Sequence, residues 1–487
     1  MQVRMTIRIT NFVGGKFHDS LDGAFSVSSP FFDYAVDVPN SCVLDLGDAF
    51  SVAKKAQVAC ASLSFEARRE ILKKAAERFI ISDEELAHLV KMQGMPIRFV
   101  KQHAMYSREL FFHTANAAER RHGHALGHLG ESMDVHGFEL SLPPEGIAVA
   151  FIPPNDPAEA AFVLSHVVMS GAVIIIKPSQ QEPYMALKIA SLLTECGYPP
   201  GGINVVHWNT ADATRSELTH FLLRDSKYRI FMGDYDSAHT MFASVENRNA
   251  KNCIFSAGKS KAIVDDGADL ERTAESIIES SLYWTNNCVS TKSVIVVGEQ
   301  NAKRLSEILE RKFRDFMVGD PFNPDTTIGY VDEKTLDELE QVARGQNDFS
   351  YAHFHHNFVR VNKFQMNPLL VWLPHPDAES PFVSHEFPYT LAVMSVPTFE
   401  DAVHFVNEAS GFLLEKKSMA VSLYATEASF TDFAKSNPGK LKSIIGLKSH
   451  LLFYNKPSTC LSPHLRHQGT DLTGFLSRPM TIVDSKI

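Results

Sequence analysis

Cys288 stands in Tyr283-Trp284-Thr285-Asn286-Asn287-Cys288-Val289-Ser290-Thr291-Lys292, immediately before the apolar run Ser293-Val294-Ile295-Val296-Val297. A thiolate at the edge of a strand can attack a carbonyl carbon and hold it covalently while a cofactor removes or delivers hydride. A free thiol titrates near 8.5, so such a cysteine needs positive potential or hydrogen-bond donors around it. The competing reading is an inert cysteine that only fills space in the core. Lys177 closes the apolar run Ile174-Ile175-Ile176, and ligands of doubly wound sheets collect at the carboxyl ends of strands. Without a ligand, the same lysine would be one whose stem packs at a strand end while its head reaches water.

The elements that must position these groups follow from hydrophobic period. Residues 147–152, 173–176, 203–206 and 228–232 read as strands, and 157–170, 183–196 and 211–223 between them are long enough for crossover helices. Their apolar residues do not strictly alternate, as expected of strands buried on both faces, so a parallel sheet wound with helices on both sides is predicted. A second α/β series follows: a strand at 262–264, a helix over 270–282, a strand at 293–297 and a charged helix over 301–316. Cys288 falls on its helix-to-strand connection. Before Gly146, residues 51–119 have helical period, with an amphipathic stretch opening at Phe65. Residues 121–142 read as a hairpin arm, with alternation over 133–142.

A chain of 487 residues with 44% hydrophobic content is expected to form two or three domains. The net charge of −10 is spread without a Lys/Arg block, which argues against nucleic acid and an anionic membrane as partners. Residues 1–10 contain no apolar signal core, and the longest apolar stretch, 167–176, is too short to span a bilayer, so a cytoplasmic protein is expected. The six cysteines, Cys42, Cys60, Cys196, Cys253, Cys288 and Cys460, show neither disulfide nor metal-ligand spacing. The histidine groups His122, His124, His128 and His353, His355, His356 lack partner ligands and read as exposed loop residues, so no metal is expected. Gly258-Lys259-Ser260 is no P-loop, because the required earlier glycine falls at Cys253 and a strand follows.

In order along the chain, Asn155, Lys177, Gly233, Gly258-Lys259, Cys288 and Glu386 resemble the aldehyde dehydrogenase superfamily over nearly the whole sequence. Phe12-Val13-Gly14-Gly15-Lys16-Phe17 is similar to its opening Gly-Lys strand, and Pro153-Pro154-Asn155-Asp156-Pro157 to its Pro-Trp-Asn-Phe-Pro turn with the Trp replaced. Lys177-Pro178-Ser179-Gln180 resembles its Lys-Pro-Ser-Glu ribose site. Val264-Asp265-Asp266-Gly267-Ala268-Asp269-Leu270-Glu271 and Val318-Gly319-Asp320-Pro321 match linking motifs.

The resemblance implies an α/β fold with a doubly wound dinucleotide-binding domain (1–120 and 145–255) and an α/β catalytic domain (256–452). A β oligomerisation arm with a C-terminal segment (121–144 and 453–487) completes it, forming a homodimer or homotetramer. It implies Cys288 as nucleophile and Asn155, with the Cys288 N–H, as oxyanion donors. Pro154, Lys177, Ser179, Gln180, Gly233, Asp234 and Glu386 would hold NAD or NADP. Neutral Gln180, where an acid would repel a 2′-phosphate, leaves both cofactors open. Asp234 replaces a small hydroxyl residue where pyrophosphate approaches a helix N-terminus, and is otherwise an ordinary N-cap. Pro388 and Tyr389 replace the Phe-Gly that follows the ribose-gripping glutamate.

Phe255 stands where hydrolytic members of the superfamily carry the general-base glutamate. Water attack on a thioester without a base forgoes about 10²–10⁴ in rate, whereas a thiol acceptor needs less help. The sequence therefore supports an NAD(P)-dependent dehydrogenase acting on a small-molecule aldehyde. It leaves open a CoA-acylating aldehyde dehydrogenase or acyl-thioester reductase with CoA as co-substrate, and a catalytically silent relative that binds nucleotide or a partner protein. The C-terminal Pro463-His464-Leu465-Arg466-His467-Gln468-Gly469 departs from the superfamily's glycine-rich signatures.

Overall fold

A computed structural model describes residues 7–121, 125–128, 136–256, 258–283, 290–344, 353–354, 359–409, 420–459 and 470–484. The chain divides into two compact units: Met1–Gln93, Val100–Phe255 and Ser462–Ile487 in one, Gly94–Phe99 and Ser256–Leu461 in the other.

The first unit is organised around a sheet ordered Lys251–Ser256, Tyr228–Gly233, Ile147–Ile152, Val173–Pro178, Ile203–Val205, Asn11–Val13, Lys16–His18. Strands Tyr228–Gly233 through Ile203–Val205 pair in parallel. Ile147–Ile152 and Val173–Pro178 are buried along their whole length, which explains their unbroken apolar runs. Two antiparallel strands extend this sheet, because Gly14 and Gly15 take φ of 64° and 80° and turn the chain back so that Phe12 lies opposite Phe17. Two successive left-handed residues are what a two-residue hairpin needs, and glycine adopts them without penalty. Helix Val43–Ser62 packs on the sheet through Leu46, Ala49, Ala53, Ala56 and Cys60, a helical-period stripe of mostly small residues.

Predicted and observed elements differ where side chains compete with the backbone. The helix read over 211–223 breaks into a 3₁₀ turn, Ala213–Arg215, and helix Ser216–Arg224. Asp212 causes the break by accepting the Thr214 N–H at 2.9 Å. The helix read over 270–282 is α only through Leu270–Ile278, capped by Asp269, and widens into a π turn at Glu279–Tyr283. There the Ser280 hydroxyl donates to the Ile277 carbonyl at 3.1 Å. The arm has a third strand: Arg478–Asp484 pairs antiparallel with His136–Leu142, which also pairs with Ala125–His128. His128 and His353 lie on strands rather than in loops, whereas His122, His124, His355 and His356 lie outside the described residues.

The second unit carries a sheet ordered His353–Phe354, Leu369–Leu373, Thr390–Val396, Thr291–Val297, Ser260–Val264, Ala420–Tyr424, Leu451–Tyr454. Only the His353–Phe354 edge pairs antiparallel. Thr291–Val297, the strand after Cys288, is central and fully buried. Among the described residues no helix is long and apolar enough to cross a membrane.

Candidate functional site

In the first unit the chain adds Val173–Pro178 and Ile203–Val205 on one side of Ile147–Ile152, then Tyr228–Gly233 on the other. The strand order thus reverses between Ile147–Ile152 and Tyr228–Gly233, and such a reversal opens a ligand crevice at the carboxyl ends. Pro154 and Asn155 follow the first of these strands, Gly233 ends the second and Asp234 follows it, and Lys177 lies at the end of the neighbouring strand with Ser179 and Gln180 just beyond. Register places Phe151 between Lys177 and Phe231. The Pro154 carbonyl accepts from the Gln93 amide at 2.9 Å, and the Ser179 N–H donates to the Ile152 carbonyl at 2.8 Å, tying the two loops to the scaffold. Asn155 is partly exposed.

Lys177 is 6% exposed, and burial pulls its ammonium down to about 8. Among the described residues its close partner is the Trp208 ring, 5.6 Å from Nζ, with no carboxylate or carbonyl on the nitrogen. The same burial, with the Lys177 charge adding to it, holds His207 down to about 3. Gln180 buries its Oε1 without a hydrogen-bond donor. A lysine buried along its stem and a buried amide oxygen, neither with a hydrogen-bond partner among the described residues, fit the vicinal hydroxyls of a ribose. Gly233 has φ of +144°, and a Cβ there would come 3.1 Å from the Phe231 ring. Asp234 is exposed and caps helix Tyr235–Ala243, accepting the Ser237 N–H at 2.8 Å. That bond holds its carboxyl below the usual range, so a fixed negative charge sits on the N–H groups a pyrophosphate would use. The residues fit the ribose end of a dinucleotide, while the phosphate end meets an internal competitor.

In the second unit Glu386 is partly buried, with Oε1 sealed from solvent and lacking a donor. Burial pushes its carboxyl up, while Lys292, Lys259 and the Gly258 N–H draw it back. Burial likewise lowers Lys292, and it takes the fully buried Lys261 down to about 7. Lys292 donates to the Phe387 carbonyl at 3.3 Å and Lys261 to the Lys259 carbonyl at 3.0 Å. The loop carrying Glu386 keeps a left-handed residue although its glycine is gone: Tyr389 has φ of +48°. Burial of its ring and a 3.1 Å bond from the Gly329 N–H to its hydroxyl oxygen hold that conformation.

Cys288 lies outside the described residues, between the π turn and the buried Ser290 and Thr291. Burial raises the Cys60 thiol to about 11 and that of Cys253 to about 12, so neither supplies a thiolate near neutrality. Phe255 is 3% exposed and sets its ring edge-on to Phe162, centroids 5.9 Å apart, as part of the hydrophobic core.

Sequence reading passed over Asp156 and Glu159. Asp156 Oδ1 accepts the Ala158 N–H at 2.8 Å, and Oδ2 lies 3.6 Å from Nδ1 of the buried His103. Glu159 opens helix Glu159–Ser170 and is pushed up to about 8 by burial and by Asp156. The Asp-x-x-Glu spacing is visible in the sequence, but it reads as ordinary capping.

Known proteins share this fold and its sequence pattern. The chain is 25% identical over 329 residues to a malonate-semialdehyde dehydrogenase of Halalkalibacterium halodurans, covering 66% of each. It is 24% identical over 308 residues to an acylating methylmalonate-semialdehyde/malonate-semialdehyde dehydrogenase of Rattus norvegicus, covering 62% of this chain and 56% of that one. The matched part thus spans less than two thirds of these relatives' own length. A crystal structure of an aldehyde dehydrogenase from Brucella melitensis biovar abortus shares the fold, with a TM-score of 0.82 at 17% identity over 99% of this chain and 98% of that one. The profile of the aldehyde dehydrogenase family matches residues 19–413, and the chain belongs to that family.

Proposed function

We propose that the protein oxidises a small-molecule aldehyde with NAD or NADP through a covalent adduct on Cys288. The observation that carries the reading is Lys177 at the carboxyl end of a central strand, its ammonium meeting no carboxylate or carbonyl among the described residues, with Gln180 three residues on burying its Oε1 without a donor. Family membership and relatives named as semialdehyde dehydrogenases supply the substrate class. Lys177, Gln180, Pro154 and Ser179 would hold the adenosine ribose, Gly233 would let the backbone approach the phosphates past Asp234, and Glu386 would grip the second ribose. The bound dinucleotide supplies a hydride acceptor. Cys288 attacks the carbonyl carbon, Asn155 donates to the oxyanion, and the carbon remains on sulfur as a thioester until an acceptor takes it.

Release to CoA is the second reading, favoured by Phe255 in the core where a base is needed and by the relative named as acylating. The experiment mixes protein, NAD or NADP and an aldehyde panel, with and without CoA, for wild type and Cys288→Ser. A burst of reduced cofactor that Cys288→Ser abolishes supports the reading. Turnover that survives Cys288→Ser, or absence of both burst and cofactor binding, refutes it. The arm, with Ala125–His128 and Arg478–Asp484 at its two edges, supports pairing between subunits as a homodimer or homotetramer. Light scattering on wild type and on a chain ending before Arg478 tests the assembly.

A further inference from the structure

Lys177 meets an aromatic ring where a buried lysine would usually meet a carboxylate. Its Nζ lies over the Trp208 ring, 5.6 Å from the centroid, within the reach at which an indole face attracts a cation. Trp208 is 1% exposed, so its neighbours fix the ring. The backbone brings the two residues together. Ile176 lies opposite Val205 in a parallel pair, and the Val206 N–H donates to the Ile176 carbonyl at 3.0 Å, so Lys177 and Trp208 follow neighbouring strands at the same edge. His207 fastens the far end of the ribose loop: its Nε2 lies 3.3 Å from the Pro183 carbonyl, and its N–H donates to Asn11 Oδ1 at 3.0 Å. Ser179 and Gln180 thus lie on a loop held by His207 at Pro183 and entered through Lys177 beside Trp208. A lysine stem samples many rotamers, and freezing them costs entropy before the ammonium can meet a hydroxyl. An indole face limits that freedom while setting no oxygen on the ammonium's donors, whereas a carboxylate in its place would compete with the ligand.

Resting on the reading that Lys177 holds the adenosine ribose, we propose that Trp208 is a positioning residue for dinucleotide binding. Its indole keeps the Lys177 ammonium at the carboxyl edge of the sheet with its donors open to the ribose hydroxyls. At 1% exposure the ring acts through Lys177 and not on the cofactor itself. The contribution of Trp208 to binding therefore exists only while Lys177 is present, and it concerns the adenosine half of the cofactor.

The test is a double-mutant cycle on the full chain, titrated calorimetrically with NAD, NADP and ADP-ribose. Its members are wild type, Trp208→Leu, Lys177→Met and the double variant, with Trp208→Phe as the conservative change and urea midpoints to show that each is folded. Trp208→Leu is expected to weaken binding of all three ligands about 3- to 30-fold, the span of a cation–π contact, and Trp208→Phe should recover part of it. In the Lys177→Met background Trp208→Leu should cost less than twofold, because the group it serves is gone. A merely structural role would cost the same in both backgrounds. Should Trp208→Leu fail to fold, the cycle is run with Trp208→Phe, and a coupling of at least twofold is expected. Equal losses in both backgrounds overturn the proposal, as does binding by Trp208→Leu within twofold of wild type. If Lys177→Met binds as wild type does, or wild type binds none of the three, the ribose reading of Lys177 falls and the proposal with it.

Discussion

Phe255 shows how much a single position decides. As a residue type it cannot accept a proton, which is legible in the sequence. That it also anchors the core against Phe162 emerges only from the packing. Phe255→Glu would place a carboxylate at a site 3% exposed with an aromatic ring as neighbour. A loss of about 3–5 kcal/mol is therefore expected, measured by urea unfolding, rather than gained hydrolysis. Asn155 behaves in the opposite way. It is partly exposed, so Asn155→Ala should leave the unfolding midpoint nearly unchanged while lowering the burst rate about 10²–10³-fold. An unchanged burst rate would remove Asn155 from the oxyanion role.

At the scale of elements, helix ends and left-handed turns set the chemistry. Asp234 caps helix Tyr235–Ala243 and places a charge there. Asn caps about as well as Asp, so Asp234→Asn should preserve the helix and tighten dinucleotide binding about two- to fivefold, read by calorimetry. Weaker binding would mean that the carboxylate serves the cofactor. Helix Glu159–Ser170 ends at Gly171 with φ of +71°, where a Cβ would fall 2.6 Å from the Arg68 guanidinium. Arg68 donates to the Met169 and Ala61 carbonyls at 3.2 Å each, satisfying helix ends that would otherwise be buried unpaired. Gly171→Ala should therefore cost at least about 1–2 kcal/mol in denaturant titration, the penalty of the left-handed conformation alone.

For the molecule as a whole, the buried titratable groups predict how stability follows pH. Burial holds His88 down to about 4 and His207 to about 3, and lowers His103 as well. Burial also raises Glu159, Glu182 and Glu386. Between the ordinary values of 4.5 for glutamate and 6.5 for histidine, the unfolded chain holds protons on the histidines and the folded chain holds them on the glutamates. These contributions cancel, so stability should be nearly flat across that window. Below about 4.5 the unfolded chain gains the carboxyl protons too while burial resists protonation of the folded histidines, so stability falls, less steeply once His88 takes up its proton near 4. Urea midpoints at pH steps from 7 to 3.5 check this, and a monotonic decline beginning at 6.5 would contradict it.

The sequence by itself determined the alternation of strands and helices, the order of the family motifs and the chemical types available at 155, 177, 255, 288 and 386, whereas the turn at Gly14-Gly15 within the expected opening strand came from the structure. What the sequence determined depends on local period or on side-chain identity. Tertiary structure decided that Lys177 is buried with no counter-charge among the described residues, that Asp234 spends its carboxylate on its own helix, that Tyr389 sits in a left-handed position, and that Asp156 acts on Glu159. Burial and electrostatic environment are set by neighbours distant along the chain. Residue type and spacing state what a side chain can do, and the packed neighbours determine its charge and its partner.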